Sequence, residues 1–382
     1  MFDYIKIEGF RSFKKVELEM PRLAVLIGPN GGGKSNFLDL MSLISEAAQG
    51  RLEEGIGKRG GADCVTFGFS PFRNVFVEFH LEEESLPKVR FKLGFDVGFG
   101  SSKVQLEEVI EEPTPQRESP IWIVKRDSSE CIFRHGEIEE RKALEWPSEL
   151  AIFQVKDLTQ YPIPYRLLSS MQEWTLYRDI DVGPQSAVRQ PELVRPAVRL
   201  FPSGMNLSSV LYTIQQDHED DWHEILEDLH TAYPDFLKLT VPAGGGDGKV
   251  HLRWFERPFE KQGMSANLLS DGMLKLLCLI AILKAPNPPS LICIDEPELG
   301  LHPDWIKLVA ELLQGASDRS QVIVATHSPQ LVAKLEPEEL IVTEKVDGET
   351  HLTQLKTPDL ENWLKDFNLS ELWLSGHFGG RP

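Results

Sequence analysis

Cysteine is scarce: Cys64, Cys131, Cys278 and Cys293 are the only four in 382 residues. None forms a Cys-x-x-Cys pair, so zinc spacing and a dithiol redox motif are absent. They read as reduced, buried thiols of a cytoplasmic protein. Positive charge is short as well. Lys plus Arg number 40 against 59 Asp plus Glu, a formal net charge of −19. A chain dedicated to coating nucleic acid is usually basic, and an anionic membrane surface disfavours an acidic one; a local basic patch stays open. No run of about 18 apolar residues occurs, so no membrane span is expected. The opening MFDYIKIEGF has no basic stretch leading into an apolar one, so it reads as no signal peptide. No heptad pattern is sustained and prolines interrupt the middle, which argues against a long coiled-coil arm. There is no internal repeat.

What is present is enough apolar residue, 41% of the chain, to build a sizeable core. Asp3–Glu8 and Val16–Met20 alternate as half-buried strands do, and Leu23-Ala24-Val25-Leu26-Ile27 is apolar throughout, as in a strand covered on both faces. A glycine-rich turn follows. Phe37, Leu40, Met41, Ile44 and Ala48 then fall at helical spacing before Gly50. Phe67–Leu81 and Val89–Val97 read as strands of an antiparallel sheet, Ile121–Val124 and Cys131–Phe133 as a hairpin, and 112–120 as an exposed loop. Residues 161–204 show no clear period. Helix resumes from Asn206 to Tyr233. Its acidic run Asp217–Asp221 reads as a solvated face, because His218 and His223 lack the i,i+4 spacing of a zinc pair. Gly244–Gly248 reads as a hairpin turn. In the last third, a helix over Met273–Lys284, strands at Leu291–Ile294, Val322–Ala325 and Leu340–Val342, and a helix begun by Pro303 predict a parallel α/β sheet.

Four motifs carry chemistry. Gly28-Pro29-Asn30-Gly31-Gly32-Gly33-Lys34-Ser35 fits GxxxxGK[ST] between a strand and a helix. Glycines let backbone N–H groups turn toward phosphate oxygens, and the helix start adds its positive dipole end. Lys34 would reach the β- and γ-phosphates and Ser35 would ligate Mg²⁺. Leu291-Ile292-Cys293-Ile294-Asp295-Glu296 is an apolar strand ending in two carboxylates, Asp295 for Mg²⁺ and Glu296 as general base toward water. Leu269-Ser270-Asp271-Gly272-Met273 opens a helix 25 residues before Asp295, so Ser270 and Gly272 form a second anion-binding helix start. Ala325-Thr326-His327-Ser328-Pro329 closes the next buried strand, with His327 as a γ-phosphate contact. His302 is expected to cap or pack its turn.

Together, IEGFRSF, GPNGGGKSN, LSDG, IDEPELGLHP and THSP resemble the ABC-type ATPases of the RecF/SMC/OLD group, and among them small bacterial AAA-type ATP-binding proteins, some from phage-defence systems. The third motif departs from LSGGQ, with Asp271 for the first glycine and Met273 for the glutamine. FPSGMNL at 201–207 and LWLSG at 372–376 are similar to that subgroup too. The resemblance implies an α/β P-loop fold of ABC type. A mixed sheet with helices would be joined by a mainly antiparallel β subdomain and a helical insert, with no long coiled coil. Residues 1–80 and 266–382 would form the head and 81–265 the insert. It implies ATP and Mg²⁺ as ligands, bound by Asn30, Gly31, Gly32, Gly33, Lys34, Ser35 and Asn36, with Arg11 near the nucleotide and Ser270 and Gly272 completing the site. Glu296 and His327 would be catalytic, Ser35 and Asp295 would hold the metal. Gln154 lies in the interval of the family's glutamine loop. Expected partners are a second copy, bound through the ATP sites, and a separate effector, a nuclease or toxin. DNA stays open, and a RecF-like repair ATPase or a non-hydrolysing nucleotide switch are the alternatives. Only 55 residues follow His327, short for an added Toprim-like domain.

Overall fold

The computed structural model describes residues 1–377, apart from 69–73, 84–85, 99–101, 116, 128–129, 156, 245–247, 361–362 and 364. The chain opens with β1 (Phe2–Phe10), β2 (Phe13–Glu19) and β3 (Leu23–Ile27), then helices α1 (Lys34–Ala48), α2 (Leu52–Lys58) and α3 (Ala62–Val65). A ladder follows: β4 (Asn74–Glu83), β5 (Leu86–Val97), β6 (Ser102–Glu111), β7 (Ile121–Asp127), β8 (Glu130–His135) and β9 (Ile138–Ala143). Next come α4 (Pro162–Gln172), β10 (Thr175–Tyr177), β11 (Glu192–Leu193), α5 (Leu207–Asp217), α6 (Glu219–Ala232), β12 (Phe236–Thr240), β13 (Lys249–Val250), β14 (Arg253–Glu256) and β15 (Met264–Ser265). The last third holds α7 (Asp271–Leu283), β16 (Leu291–Asp295), α8 (Ile306–Ser317), β17 (Gln321–Ala325), α9 (Pro329–Val332), β18 (Leu340–Val346), β19 (Glu349–Gln354), α10 (Thr357–Leu360) and α11 (Leu369–Ser375).

Two large sheets organise most of these elements, beside two small ones, β11-β13 and β12-β14-β15. A six-stranded sheet has the order β10-β16-β17-β3-β18-β19, parallel except for β19 at its edge. Its centre is buried on both faces, as the unbroken apolar runs require. Leu23, Val25 and Ile27 enter one core with α5, α7 and α8, while Ala24 and Leu26 enter a second core with α1. The second sheet is antiparallel with eight strands, β2-β1-β4-β5-β6-β7-β8-β9. Its inner face packs on α1, where Phe13 meets Phe37 edge-on at 6.2 Å. The chain is therefore an α/β P-loop fold of ABC-ATPase type. The span 81–265 contributes to both sheets, through β5–β9 on one side and β10 on the other.

Several local expectations change. Cys64 is exposed, and only the other three thiols are buried. Phe67 and Gly68 lie outside the strands, and 69–73 fall outside the described residues, so the strand read from Phe67 begins at Asn74. The 161–204 stretch contains α4, which starts on Pro162, where a missing N–H costs nothing. The acidic run straddles two helices, and Glu219, Asp220 and Asp221 sit in the first turn of α6, next to its positive dipole end. The hairpin expected at Gly244–Gly248 has its centre, 245–247, outside the described residues, though Gly244 N–H donates to Lys249 O across it. One buried ionic group ties the ladder to the 146–152 segment. Glu107 and Arg126 are fully buried; the carboxylate accepts N–H bonds from Ala151 and Ile152, and the guanidinium donates to Glu149 O and Pro147 O. Burial pushes Glu107 up to about 6, against those bonds and Arg126.

Candidate functional site

The carboxyl ends of β3, β16 and β17 lie side by side, and the loops leaving them carry three of the four sequence motifs. In open α/β sheets this edge is where ligands bind. The glycine loop leaves β3 with Gly28 and Gly33 at φ 143° and 109°. A Cβ at Gly28 would collide with Thr343 O, and one at Gly33 with the Thr350 side chain. The β18–β19 hairpin therefore braces the loop from behind. Thr350 Oγ1 lies 2.9 Å from Gly32 O and 2.8 Å from Ser12 Oγ. Asn30 and Gly31 remain exposed at the loop's tip.

Lys34 is buried, with its ammonium donating to Gly28 O at 2.7 Å and Pro29 O at 3.1 Å. Burial lowers its pKa to about 8, against the attraction of Asp295, Glu296 and Glu298. Ser35 is exposed at the helix start. Asn36 donates to Ser12 Oγ at 2.8 Å and accepts from Arg11 Nη1 at 3.1 Å. Arg11 sits in a left-handed turn, φ 47°, and its Nη2 pairs with Asp39 at 2.6 Å. The structure thus places Arg11 behind Asn36, one residue from Ser35.

On β16, Asp295 ends the strand. Glu296 takes φ 50°, and its N–H donates to Ala325 O at 2.8 Å. A non-glycine residue in that region is uncommon and costs on the order of 1–3 kcal/mol. The surrounding sheet over-determines it. Glu298 was part of the DEPELGLHP pattern without a role. Its Oε1 accepts from Thr326 Oγ1 at 2.6 Å and from His327 N–H at 3.2 Å, so it clamps the β17 loop to the β16 loop. Its Oε2 is buried without a partner among the described residues, and burial raises its pKa, with Glu296 adding to the shift. Burial and the Lys34 charge lower the pKa of His327, against Glu296 and Asp295.

Ser270 caps α7, its Oγ accepting from Met273 N–H at 3.2 Å. Gly272 packs so closely that a Cβ there would stand 2.9 Å from Gly300 O, in the turn after β16. Among the described residues no hydrogen bond or ion pair joins Ser270 or Gly272 to the glycine loop. Lys34, Asp295, Glu296 and His327 are brought together, while the α7 start packs on the turn after β16. His302 caps its turn by accepting from Asp304 N–H at 3.3 Å. Gln154 donates to Trp146 O and accepts from Glu145 N–H, with no bond to the site.

Two arginines escaped the sequence reading. Arg178, just after β10, donates from Nε to Asp295 Oδ2 at 2.9 Å and from Nη2 to Ser35 O at 3.4 Å. Arg189 is buried and donates to Ala266 O and Leu269 O while pairing with Asp271 at 2.6 Å, which fixes the α7 start. Both follow from residues 161–204, where no period could be read. Among the described residues no cluster of three His, Cys, Asp or Glu could hold a metal. A hydroxyl and a carboxylate flanking one bound cationic group suit Mg²⁺, which takes one or two protein oxygens and completes its shell from phosphate and water. No helix among the described residues is long and apolar enough to cross a membrane.

The family profile described as "AAA domain, putative AbiEii toxin, Type IV TA system" matches residues 23–333. The chain is 30% identical over 103 residues to the chromosome partition protein Smc of Methanocaldococcus jannaschii, covering 24% of this chain and 9% of that protein. It is 31% identical over 81 residues to the "Retron Vc95 probable ATPase" of Vibrio cholerae, covering 21% and 16%. It is 29% identical over 113 residues to the DNA repair protein RecN of Deinococcus radiodurans, covering 29% and 20%. The chain thus spans a fifth or less of the length of these relatives. In fold, it matches an Smc head bound to the C-terminal winged-helix domain of ScpA with a TM-score of 0.60 at 15% identity, over 94% of this chain and 99% of that one.

Proposed function

The chain belongs to this AAA-domain family, within the ABC-type ATPases of the RecF/SMC/OLD group, and we propose that it binds ATP, closes with a second copy around two ATP molecules and hydrolyses them to control a separate effector. The observation that carries the reading is the convergence of Lys34, Asp295, Glu296 and His327 at one sheet edge. Amides of Asn30–Ser35 cradle the phosphates. Lys34 exchanges two carbonyl acceptors for phosphate oxygens, and Asn36 and Arg11 shape the wall beside Ser35. Ser35 and Asp295 would hold Mg²⁺, which supplies neutralisation of phosphate charge. Glu296 takes the proton of the attacking water, and His327 donates a hydrogen bond toward the γ-phosphate. Ser270 and Gly272 of the second copy close the site.

Lys34 gives the test. In the free protein its pKa is about 8, and flanking phosphate charge raises it. Below that value the ammonium is already charged. Above it, binding must take up a proton, so affinity falls as pH rises. Calorimetry in two buffers of different ionisation heat, near pH 8.5, is expected to show proton uptake with Mg²⁺ and a non-hydrolysable ATP analogue. Lys34→Ala should remove the uptake and most of the affinity. Equal affinity in wild type and Lys34→Ala sinks the assignment.

Control of a separate effector, in a toxin–antitoxin or phage-defence setting, is supported by the family's description and the retron relative. Four cations on the outer face of the antiparallel sheet are also paired internally: Lys6–Glu8, Lys15–Glu17, Arg90–Glu112 and Lys92–Glu108 stand at 2.9–3.6 Å. Phosphate-backbone binding needs clustered free cations. Purification from the native host with ATP is expected to bring a stoichiometric nuclease or toxin. Purified chain alone should leave linear, circular and single-stranded DNA intact. Cleavage by the chain alone, or recovery without any partner, overturns this. The likeness to RecN favours a second reading, a DNA-repair ATPase, and salt-sensitive DNA binding with no partner would select it.

A further inference from the structure

We propose that Arg178 is a built-in counter-cation of this site: it holds Asp295 in the place of Mg²⁺ while no nucleotide is bound, and gives the carboxylate up to the metal. This rests on reading Ser35 and Asp295 as metal-holding residues. β10 runs parallel to β16 with Tyr177 beside Ile294, so the next residue of each strand, Arg178 and Asp295, must emerge side by side. The guanidinium bonds Asp295 Oδ2 at 2.9 Å and reaches Ser35 O at 3.4 Å. One side chain thus spans the two elements that carry the metal's protein oxygens.

The charges explain why it is needed. Asp295, Glu296 and Glu298 stand together near Lys34, whose ammonium is spent on the carbonyls of Gly28 and Pro29. Arg11 is paired with Asp39. Among the described residues it is Arg178 that forms the ion pair with Asp295, whose side chain is only 14% exposed and is costly to leave uncompensated. Arg178 itself is 38% exposed, so its stem is free to swing. A carboxylate oxygen engaged by a guanidinium is blocked as a Mg²⁺ ligand, so metal and arginine compete for one site. Once displaced, the planar fork stays within reach of phosphate oxygens, for which its geometry is suited.

Competition predicts opposite effects of one substitution. Free Mn²⁺, followed by electron paramagnetic resonance against nucleotide-free protein, is expected to bind Arg178→Gln at least about ten times more tightly than wild type. Asp295→Asn and the double variant should show no such site. A fluorescent ATP analogue in EDTA should bind Arg178→Gln several-fold more weakly, because its phosphates lose a cation. Arg178→Lys, a charge without the fork, should lie between in both measurements and guards against a misfolded glutamine variant. Unchanged Mn²⁺ affinity in folded Arg178→Gln, or weaker binding of both ligands, overturns the inference. If Lys34→Ala still abolishes analogue binding in that case, the ATP site stands and only the role of Arg178 falls. If Lys34→Ala binds normally, the site itself is misread.

Discussion

Glu296→Gln is expected to retain ATP binding while losing turnover by roughly 10²–10⁴-fold, the usual contribution of a positioned general base. The substitution is isosteric, and the left-handed backbone at φ 50° is held by the Glu296 N–H to Ala325 O bond, which does not depend on the side chain. Only the proton acceptor is removed. Hydrolysis is the step that would open the ATP sandwich, so the variant should accumulate ATP-bound dimers. Sedimentation velocity with and without ATP, run beside a phosphate-release assay, measures both consequences. Turnover like wild type removes Glu296 from the chemistry. A variant that binds ATP, fails to hydrolyse it and stays monomeric would keep the base and overturn closure around ATP.

The place of Glu296 at a strand end was legible in sequence because chemistry and topology share one signal there. A strand covered on both faces must be an unbroken apolar run, and its carboxyl end is where polar residues become accessible, so Leu291–Glu296 announces both a central strand and a site. The same holds for Leu23–Lys34. Arg178 and Arg189 carried no such signal. β10, which Arg178 follows, has three residues, and the 3-10 turn Ala187–Arg189 has three as well, too few for a period; their partners Asp295 and Asp271 lie 117 and 82 residues away. β9 was missed for another reason. Ile138–Ala143 reads IEERKA, an edge strand with mostly exposed side chains, so no burial pattern marks it. Thr343 and Thr350 brace the glycine loop only because the last hairpin folds back beside β3, a pairing that periodicity does not encode.

The α7 start, which makes no hydrogen bond or ion pair with the glycine loop of its own chain among the described residues, leads to the second large effect. Lys34→Ala and Ser270→Arg are each expected to trap almost no ATP when combined with Glu296→Gln, yet to recover trapping when mixed. Ser270 and Asp271 are exposed, and apolar Leu268 and Leu299 beside them are 70% and 55% exposed, a surface that a second copy would cover. In a two-fold dimer the loop of each copy faces the α7 start of the other. A mixed dimer then carries both lesions in one composite site and leaves the other intact. Random assembly at equal amounts makes half the dimers mixed, so trapped nucleotide should reach roughly a quarter of the Glu296→Gln level. Ser270→Arg also removes a helix cap, at a cost of about 1 kcal/mol, so its melting curve is recorded first. Differently tagged copies show by pull-down whether mixed dimers form. Mixed dimers that form but trap no nucleotide at any ratio would mean that Ser270 does not complete the partner's site.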